Sequence, residues 1–394
     1  IYQPSSTDEE KTIDDEDALA KESWNNPSVN KYRLCSCLSL FLAGGLFYSS
    51  YGVLIPELER DYNKSHASVS LIFIGDLVSS TVAAAVTNIT HLSLGRRGAG
   101  VIGALCLGLG SLFLALHLPW PAVPVMICLV VYGVAALDSA ASAWIGGLHH
   151  ASGFLGVLQG CFGIGSTIAP SIAQAVIQRG IPYYRFYYLP FALSILGGVG
   201  FLISFWDENG EKYTRDTSRS HKPEETHAKE ILKNKVSWIL AISVLLNWGA
   251  DATTSSWIII YLTEGRGGSS SKASLVNSMF WFSFTLGRFF LTWVLGALPP
   301  KWGVKGPVSF VICLCLMLEL MFWLLPTFVG SSVAGCLLGF FYGPLYPLIL
   351  GTLTKLLPRH LHVSAIGIGS AFGAVGVSSF PIVAGAIAQY KGHS

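Results

Sequence analysis

Apolar and polar residues come in blocks along this chain. Eleven apolar runs of about 20 residues or more, the length needed to cross a hydrocarbon core, occupy 32–55, 68–89, 99–116, 123–148, 153–178, 183–206, 237–262, 273–298, 306–325, 329–357 and 363–390. Most polar breaks between them are short; two are not. Residues 1–31 hold eight acids (Asp8, Glu9, Glu10, Asp14, Asp15, Glu16, Asp17 and Glu22) and little that could pack, which predicts a disordered tail. Residues 207–236 carry seven acids and seven bases, which predicts a solvated linker. That linker divides the chain into an N-terminal six-helix half, 32–206, and a C-terminal half, 237–394, with five helices. The pattern predicts an all-α membrane protein.

The halves share a ladder of small residues. Gly156, Gly165, Ala169-Pro170 and Ala173-Gln174 in the fifth run return as Gly367, Gly376, Phe380-Pro381 and Ala384-Gly385 in the eleventh, each 211 positions later. Gly95 and Gly306 keep the same offset. Glycine lets helix backbones approach closely in a bilayer, and a bundle tolerates a proline bend that its neighbours support. A fixed offset across such residues marks a duplicated bundle with a site between its halves. Carried from the start of the sixth run at Tyr183, the offset reaches residue 394, the last of the sequence. The twelfth helix of a six-plus-six bundle would begin there, so the sequence reads as a fragment with eleven spans, lacking roughly 20 further apolar residues.

Composition narrows the class. With 52% apolar and 12% charged residues the chain is too apolar for a set of soluble domains. A net charge of +2 and the lack of a basic, aromatic-rich patch give no reason to expect nucleic acid. The eight cysteines all fall in apolar runs and read as small buried residues, not as disulfides or metal ligands. No nucleotide, zinc-hydrolase or serine-hydrolase motif is present, so neither an enzyme nor a cofactor is expected. Lys and Arg number 17 in the tail and in the loops after even-numbered runs, against seven on the opposite side. By the positive-inside rule the tail and linker of this multi-pass protein are cytoplasmic; the plasma membrane is the expected location, with an internal membrane the alternative. Asn63-Lys64-Ser65 is then a glycosylation sequon in the first outer loop.

Charges inside apolar runs are costly and are functional candidates by default. They are Asp76, Asp138, Asp251, Arg288 and Glu319. Asp138 has Ser142 one turn on, and Ser243, Asn247, Asp251 and Ser255 recur every fourth residue, a polar stripe expected to line a cavity. Arg288 needs an anion: Asp251, Glu319 or a substrate group. Asp76 lies toward the outer end of its run, where it can reach water. Tyr48, Tyr51, Trp144, Gln159, Trp257, Tyr342 and Tyr346 add polar handles at similar depth.

The two halves, the charged central loop and Gly95-Arg96-Arg97 closing the turn between the second and third runs resemble the major facilitator superfamily. Its turn motif carries an acid upstream of the basic pair; here Asn88 and His91 stand there. More narrowly, GRRG at 95–98, LDSAASAW at 137–144, GADATTSSWIIIYL at 249–262, GR at 287–288 and GFFYGPLYP at 339–347 resemble fungal transporters related to the yeast bypass-of-stop-codon protein, whose relatives include proton–sugar symporters of the fucose type. That pattern has Asn where Ser142 stands, His where Gln159 stands and Glu where Asp251 stands. The 156–174 ladder also resembles an antiporter motif, with Ala169 for one Gly and Ala173-Gln174 for Gly-Gly. The resemblance implies a monomeric secondary transporter of a small organic solute, working by alternating access with a proton as the coupling ion. Proton-linked efflux of a fungal metabolite, and a membrane sensor that transports nothing, are the other readings.

Overall fold

The computed structural model describes residues 22–70, 72–146, 148, 151–213, 234–296, 305–349, 357 and 362–391. The tail to residue 21 and most of the charged linker, 214–233, lie outside the described residues. Apart from short turns and one isolated β-bridge between Ser23 and Asn26, the described residues are helical. The helices are α1 (Val29–Ser49), α2 (Tyr51–Tyr62), α3 (His66–Ser70), α4 (Ile72–Ala115), α5 (Ala122–Gly146), α6 (Ala151–Gln178), α7 (Tyr188–Ser204, after a 3-10 turn Tyr183–Tyr187), α8 (Lys235–Ile260, running on into a π turn Tyr261–Gly265), α9 (Ser270–Gly296), α10 (Lys305–Leu324), α11 (Phe328–Tyr342) and α12 (His362–Lys391). Among the described residues eight helical stretches are long and apolar enough to cross a bilayer, nine if the bent pair α1 and α2 is one span. Eleven spans were expected. The second and eighth runs are helical but fall outside that count.

Two bends have local causes. Between α1 and α2 the axis turns by 51°. Pro56 sits one turn inside α2, where its ring lacks an N–H and crowds the preceding turn. In α4 the break is Gly95, at φ 70°, ψ −174°. A Cβ there would stand 2.3 Å from the Asn209 carbonyl carbon, so both conformation and close approach demand glycine.

The chain beyond α7 packs on this turn. Glu208, nearly fully buried, pairs with Arg96 at 3.0 Å, Lys212 at 2.5 Å and Arg33 of α1 at 3.6 Å. Arg33 also donates to the Ser204 carbonyl at 2.9 Å, and Arg97 to the Trp206 carbonyl at 2.9 Å. The acid that the turn lacks at 88 and 91 is thus supplied 112 residues downstream of Arg96. Burial alone would raise the Glu208 carboxyl; Lys212 and Arg96 outweigh it and hold it below the usual carboxylate range.

The repeated ladder is a helix-crossing device. At Gly165 an added Cβ would lie 2.3 Å from the Leu42 carbonyl oxygen and 2.9 Å from the Leu46 nitrogen, so α6 crosses α1 backbone to backbone. At Gly376 the same test meets the Leu245 oxygen at 2.1 Å and the Gly249 nitrogen at 3.1 Å, so α12 crosses α8 in the same manner. Gly160 and Gly163 turn another face of α6 toward Phe289 and Thr285 of α9, while α12 packs on α4. Each half therefore lends one ladder helix to the other. Large apolar side chains such as Leu196, Ile203, Ile239, Phe310 and Val329 remain exposed on the outside, as a lipid-facing surface requires.

Candidate functional site

The space between the halves is closed at one end. On the far face, where α2, α3 and the turn after α8 lie, contacts cross between halves. Gly52 of α2 packs so tightly on α8 and α9 that a Cβ would meet the Ser255 oxygen and the Asn277 amide nitrogen, each at 2.9 Å. The His66 ring lies 5.9 Å from Trp257, whose Nε1 donates to the Pro381 carbonyl at 3.2 Å. The Oγ atoms of Ser171 and Ser278 lie 2.8 Å apart, and Ser274 donates to Gln174 at 3.1 Å. Residues 254–260 of α8 are all buried in consequence. Toward the tail face, where α1 begins, Asp138, Ala143 and Gly146 of α5 are exposed. The exposed side of α5 between the halves lies toward that face.

Asp138 and Arg288 sit at similar depth, each roughly two-thirds of the way along its helix from the far end. Asp138 accepts a long hydrogen bond from Ser142 at 3.3 Å and is otherwise presented to the cavity. It lies within electrostatic reach of Tyr48 in its own half and of Tyr346 in the other. Tyr346 is in reach of Arg288, and Arg288 of Asp251. The Arg288 guanidinium rests on the Phe284 ring at 4.7 Å and reaches the Gly343 carbonyl at 3.5 Å. No carboxylate among the described residues is close enough to it for an ion pair; Asp251 acts at longer range. Asn247, one turn from Asp251, has a buried Nδ2 without a hydrogen-bond partner. The Tyr48 ring lies tilted against Phe162, with centroids 6.0 Å apart, and Gln159 is half-buried on α6 beside the Gly160 contact with Phe289. Tyr48, Asp138, Tyr346, Arg288 and Asp251 thus form one chain of neighbouring polar groups that runs from one half to the other.

Other expected residues lie elsewhere. Ser255 is buried under Gly52, with its hydroxyl turned to the Ala252 carbonyl at 3.2 Å, so the stripe is half-buried at Asn247 and Asp251 and sealed at Ser255. Trp144 is buried in the N-terminal half, edge-on to Phe205 at 5.3 Å. Glu319 accepts from the Tyr342 hydroxyl at 3.2 Å instead of meeting Arg288. Tyr51 is buried, not cavity-lining. Asp76, expected to reach water, is 2% exposed. Asn63 caps α2 in the left-handed region and is exposed, so its side chain can be reached on the far face.

Two measurements check this arrangement. In a background without the native cysteines, cysteine at 247 or 251 should react with a polar thiol reagent added from the tail face, and cysteine at 255 should be protected. Equal reactivity at all three would contradict the closure. Arg288→Ala should lower thermal stability by about 1–2 kcal/mol, less than a contacting buried pair would cost. Adding Asp251→Asn should recover part of that loss, whereas adding Glu319→Gln should not.

Two helical halves, crossed on glycine and parted at one face around a polar cavity, define a secondary transporter. The chain belongs to the Major Facilitator Superfamily, whose sequence profile matches residues 37–388. It is 26% identical to Bypass of stop codon protein 6 of Saccharomyces cerevisiae, over 98% of this chain and 87% of that protein. A Protein TsgA homolog of Buchnera aphidicola is 24% identical over 59% of this chain and 56% of its own length. Among solved structures, a mutant form of the nucleoside transporter NupG superimposes with a TM-score of 0.71 at 17% identity, covering 91% of this chain and 92% of that one. A bacterial homolog of the human lysosomal transporter Spinster, inward-facing and occupied, gives 0.64 at 11% identity, covering 91% and 82%. At these identities the structures speak for the fold.

Proposed function

We propose that this protein moves a small polar organic solute across a membrane by alternating access, with a proton as the coupling ion and Asp138 as the carboxyl that exchanges it. The tail face is the cytoplasmic one, and the protein works as a monomer. The observation that carries the reading is the exposure of Asp138 to the cavity at the depth of Arg288, with Tyr346 between the halves in reach of both. A carboxyl so placed changes its surroundings when the halves rock. Water reaches it through one opening and is then excluded, which alternately favours the ionised and the protonated form. Arg288 and Asn247 offer hydrogen-bond donors to the solute, and Tyr48 and Tyr346 offer apolar faces with polar tips.

Purified protein in vesicles with an imposed pH gradient tests this, with L-fucose, D-glucose and uridine as labelled probes. The sugars follow from the sequence resemblance, and uridine from the nucleoside transporter named among the structural neighbours. Uptake of at least one probe should rise under the gradient and collapse when a protonophore is added. Uptake indifferent to the gradient would sink proton coupling, and enhanced release instead of uptake would turn the reading to efflux.

A further inference from the structure

Asp76 does not belong to the cavity. It lies on α4, and both its carboxyl oxygens are buried without a hydrogen-bond partner. The Tyr51 hydroxyl, within electrostatic reach, is also buried and without a partner. The groups that face Asp76 are neutral ones. They are Tyr51 and Tyr48 from the segment of α1 and α2 and Cys128 from α5, whose thiol meets Ser79, with Tyr187 behind Tyr51. Phe73, itself 1% exposed, stands edge-on to Tyr51 at 5.7 Å. No Lys, Arg or His among the described residues pairs with it.

An ionised carboxylate in such a place would have lost its water with nothing in return, a far worse outcome than burying the neutral acid. On the far side, the way to Asp76 is covered by the contacts that close that face. The short helix α3, six residues before it, packs on α12, and α2 packs on α8 and α9. When the far face opens, those covers part.

We propose that Asp76 is a second proton-exchanging carboxyl, loaded from the far face while that face is open and held as the neutral acid, out of contact with water, in the far-face-closed state. The loading step is simple protonation: the carboxylate takes one proton from the far-side solution and returns it there when the face reopens. This rests on the alternating-access reading above. Its test needs no solute, so it can fail or succeed whether or not a pH gradient drives uptake.

Ser171→Cys and Ser278→Cys, at positions whose Oγ atoms are 2.8 Å apart, allow the far face of the full chain to be locked by a disulfide. The infrared spectrum of the locked protein in lipid nanodiscs, minus that of the locked protein carrying Asp76→Asn, should contain the C=O stretch of a protonated carboxylic acid at neutral pH. That band should persist as the pH is raised. Once the disulfide is reduced, it should titrate away at alkaline pH. Carboxylate bands at neutral pH in the locked protein would overturn the proposal. So would a protonated band that gives way to carboxylate bands on adding sodium chloride, because Asp76 would then be a metal-cation site. Should Asp76→Asn fail to fold, carbodiimide labelling of the wild-type protein makes the same assignment, since the reagent attacks protonated carboxyls. With a lipid-soluble carbodiimide and the far face free to open, an adduct at residue 76 supports the proposal, and its absence by peptide mass overturns it.

Discussion

Asp138→Asn should abolish solute accumulation driven by a pH gradient while leaving passive exchange of solute intact. One proton moving down a gradient of one pH unit supplies about 1.4 kcal/mol, enough for about tenfold accumulation. In the variant the ratio of internal to external solute should fall to one. The amide keeps the size of the acid and can still accept from Ser142, the hydrogen bond that Asp138 makes at 3.3 Å. What it loses is the ability to take up and release a proton. Because Asp138 is exposed to the cavity and is not a packing residue, folding and insertion should be unaffected. The check is a pair of vesicle measurements, accumulation under a gradient and counterflow without one. Accumulation retained in Asp138→Asn would remove this residue from coupling; loss of both activities would make it a solute contact.

Glu208→Gln should cost the N-terminal half much of its stability, about 3–5 kcal/mol on the scale of breaking one partner out of a buried charge network. Glu208 is 4% exposed at the meeting point of Arg33, Arg96 and Lys212, and the Arg33 side chain is as deeply buried as its partner. Neutralising the acid leaves the Arg33 guanidinium with a carbonyl, an amide oxygen and the Phe205 ring but no counter-charge. The pH dependence has a definite sign. The folded-state carboxyl titrates below its unfolded value, so its contribution is complete above the ordinary carboxylate range and is lost as pH falls through the depressed folded value. Thermal melting in detergent should show a large drop for Glu208→Gln at neutral pH, and the gap to wild type should narrow in acid. Equal melting temperatures at neutral pH would mean that the three bases are held by solvent and not by Glu208.

How much of this could be read in advance differs from one element to the next. The crossing glycines were legible because a backbone contact leaves no substitute for them. Gly165 against Leu42 and Leu46, and Gly376 against Leu245 and Gly249, are one geometric demand met twice, and so they recur at one offset. The stripe on α8 was legible only as a stripe. Periodicity assigns Asn247, Asp251 and Ser255 to one side of a helix, but Gly52 of α2 decides that Ser255 is covered. Glu319 and Arg288 carried opposite charges at plausible depths, yet Tyr342 took the acid. Glu208 stood in a run of solvated charges, and nothing local set it apart from its neighbours.

Sequence alone determined the properties that scale with single segments. Helix length, the apolar exterior, the duplication and the short set of charges admitted to the bilayer each follow from a local cost: an unsatisfied backbone, an exposed charge, or a side chain where two helices must touch. Tertiary structure alone decided what depends on which segment lies opposite which. It turned Trp144 into the packing partner of Phe205, and it supplied the acid for the Gly95 turn from the start of the linker. It also closed α2 and α3 over the far face, leaving Asp138 exposed toward the other face and Asp76 a carboxyl without a hydrogen-bond partner among the described residues. The reason is physical. Burial and pairing are relations between distant residues, and the energy of a carboxyl in a membrane protein is set by what faces it more than by the helix that carries it.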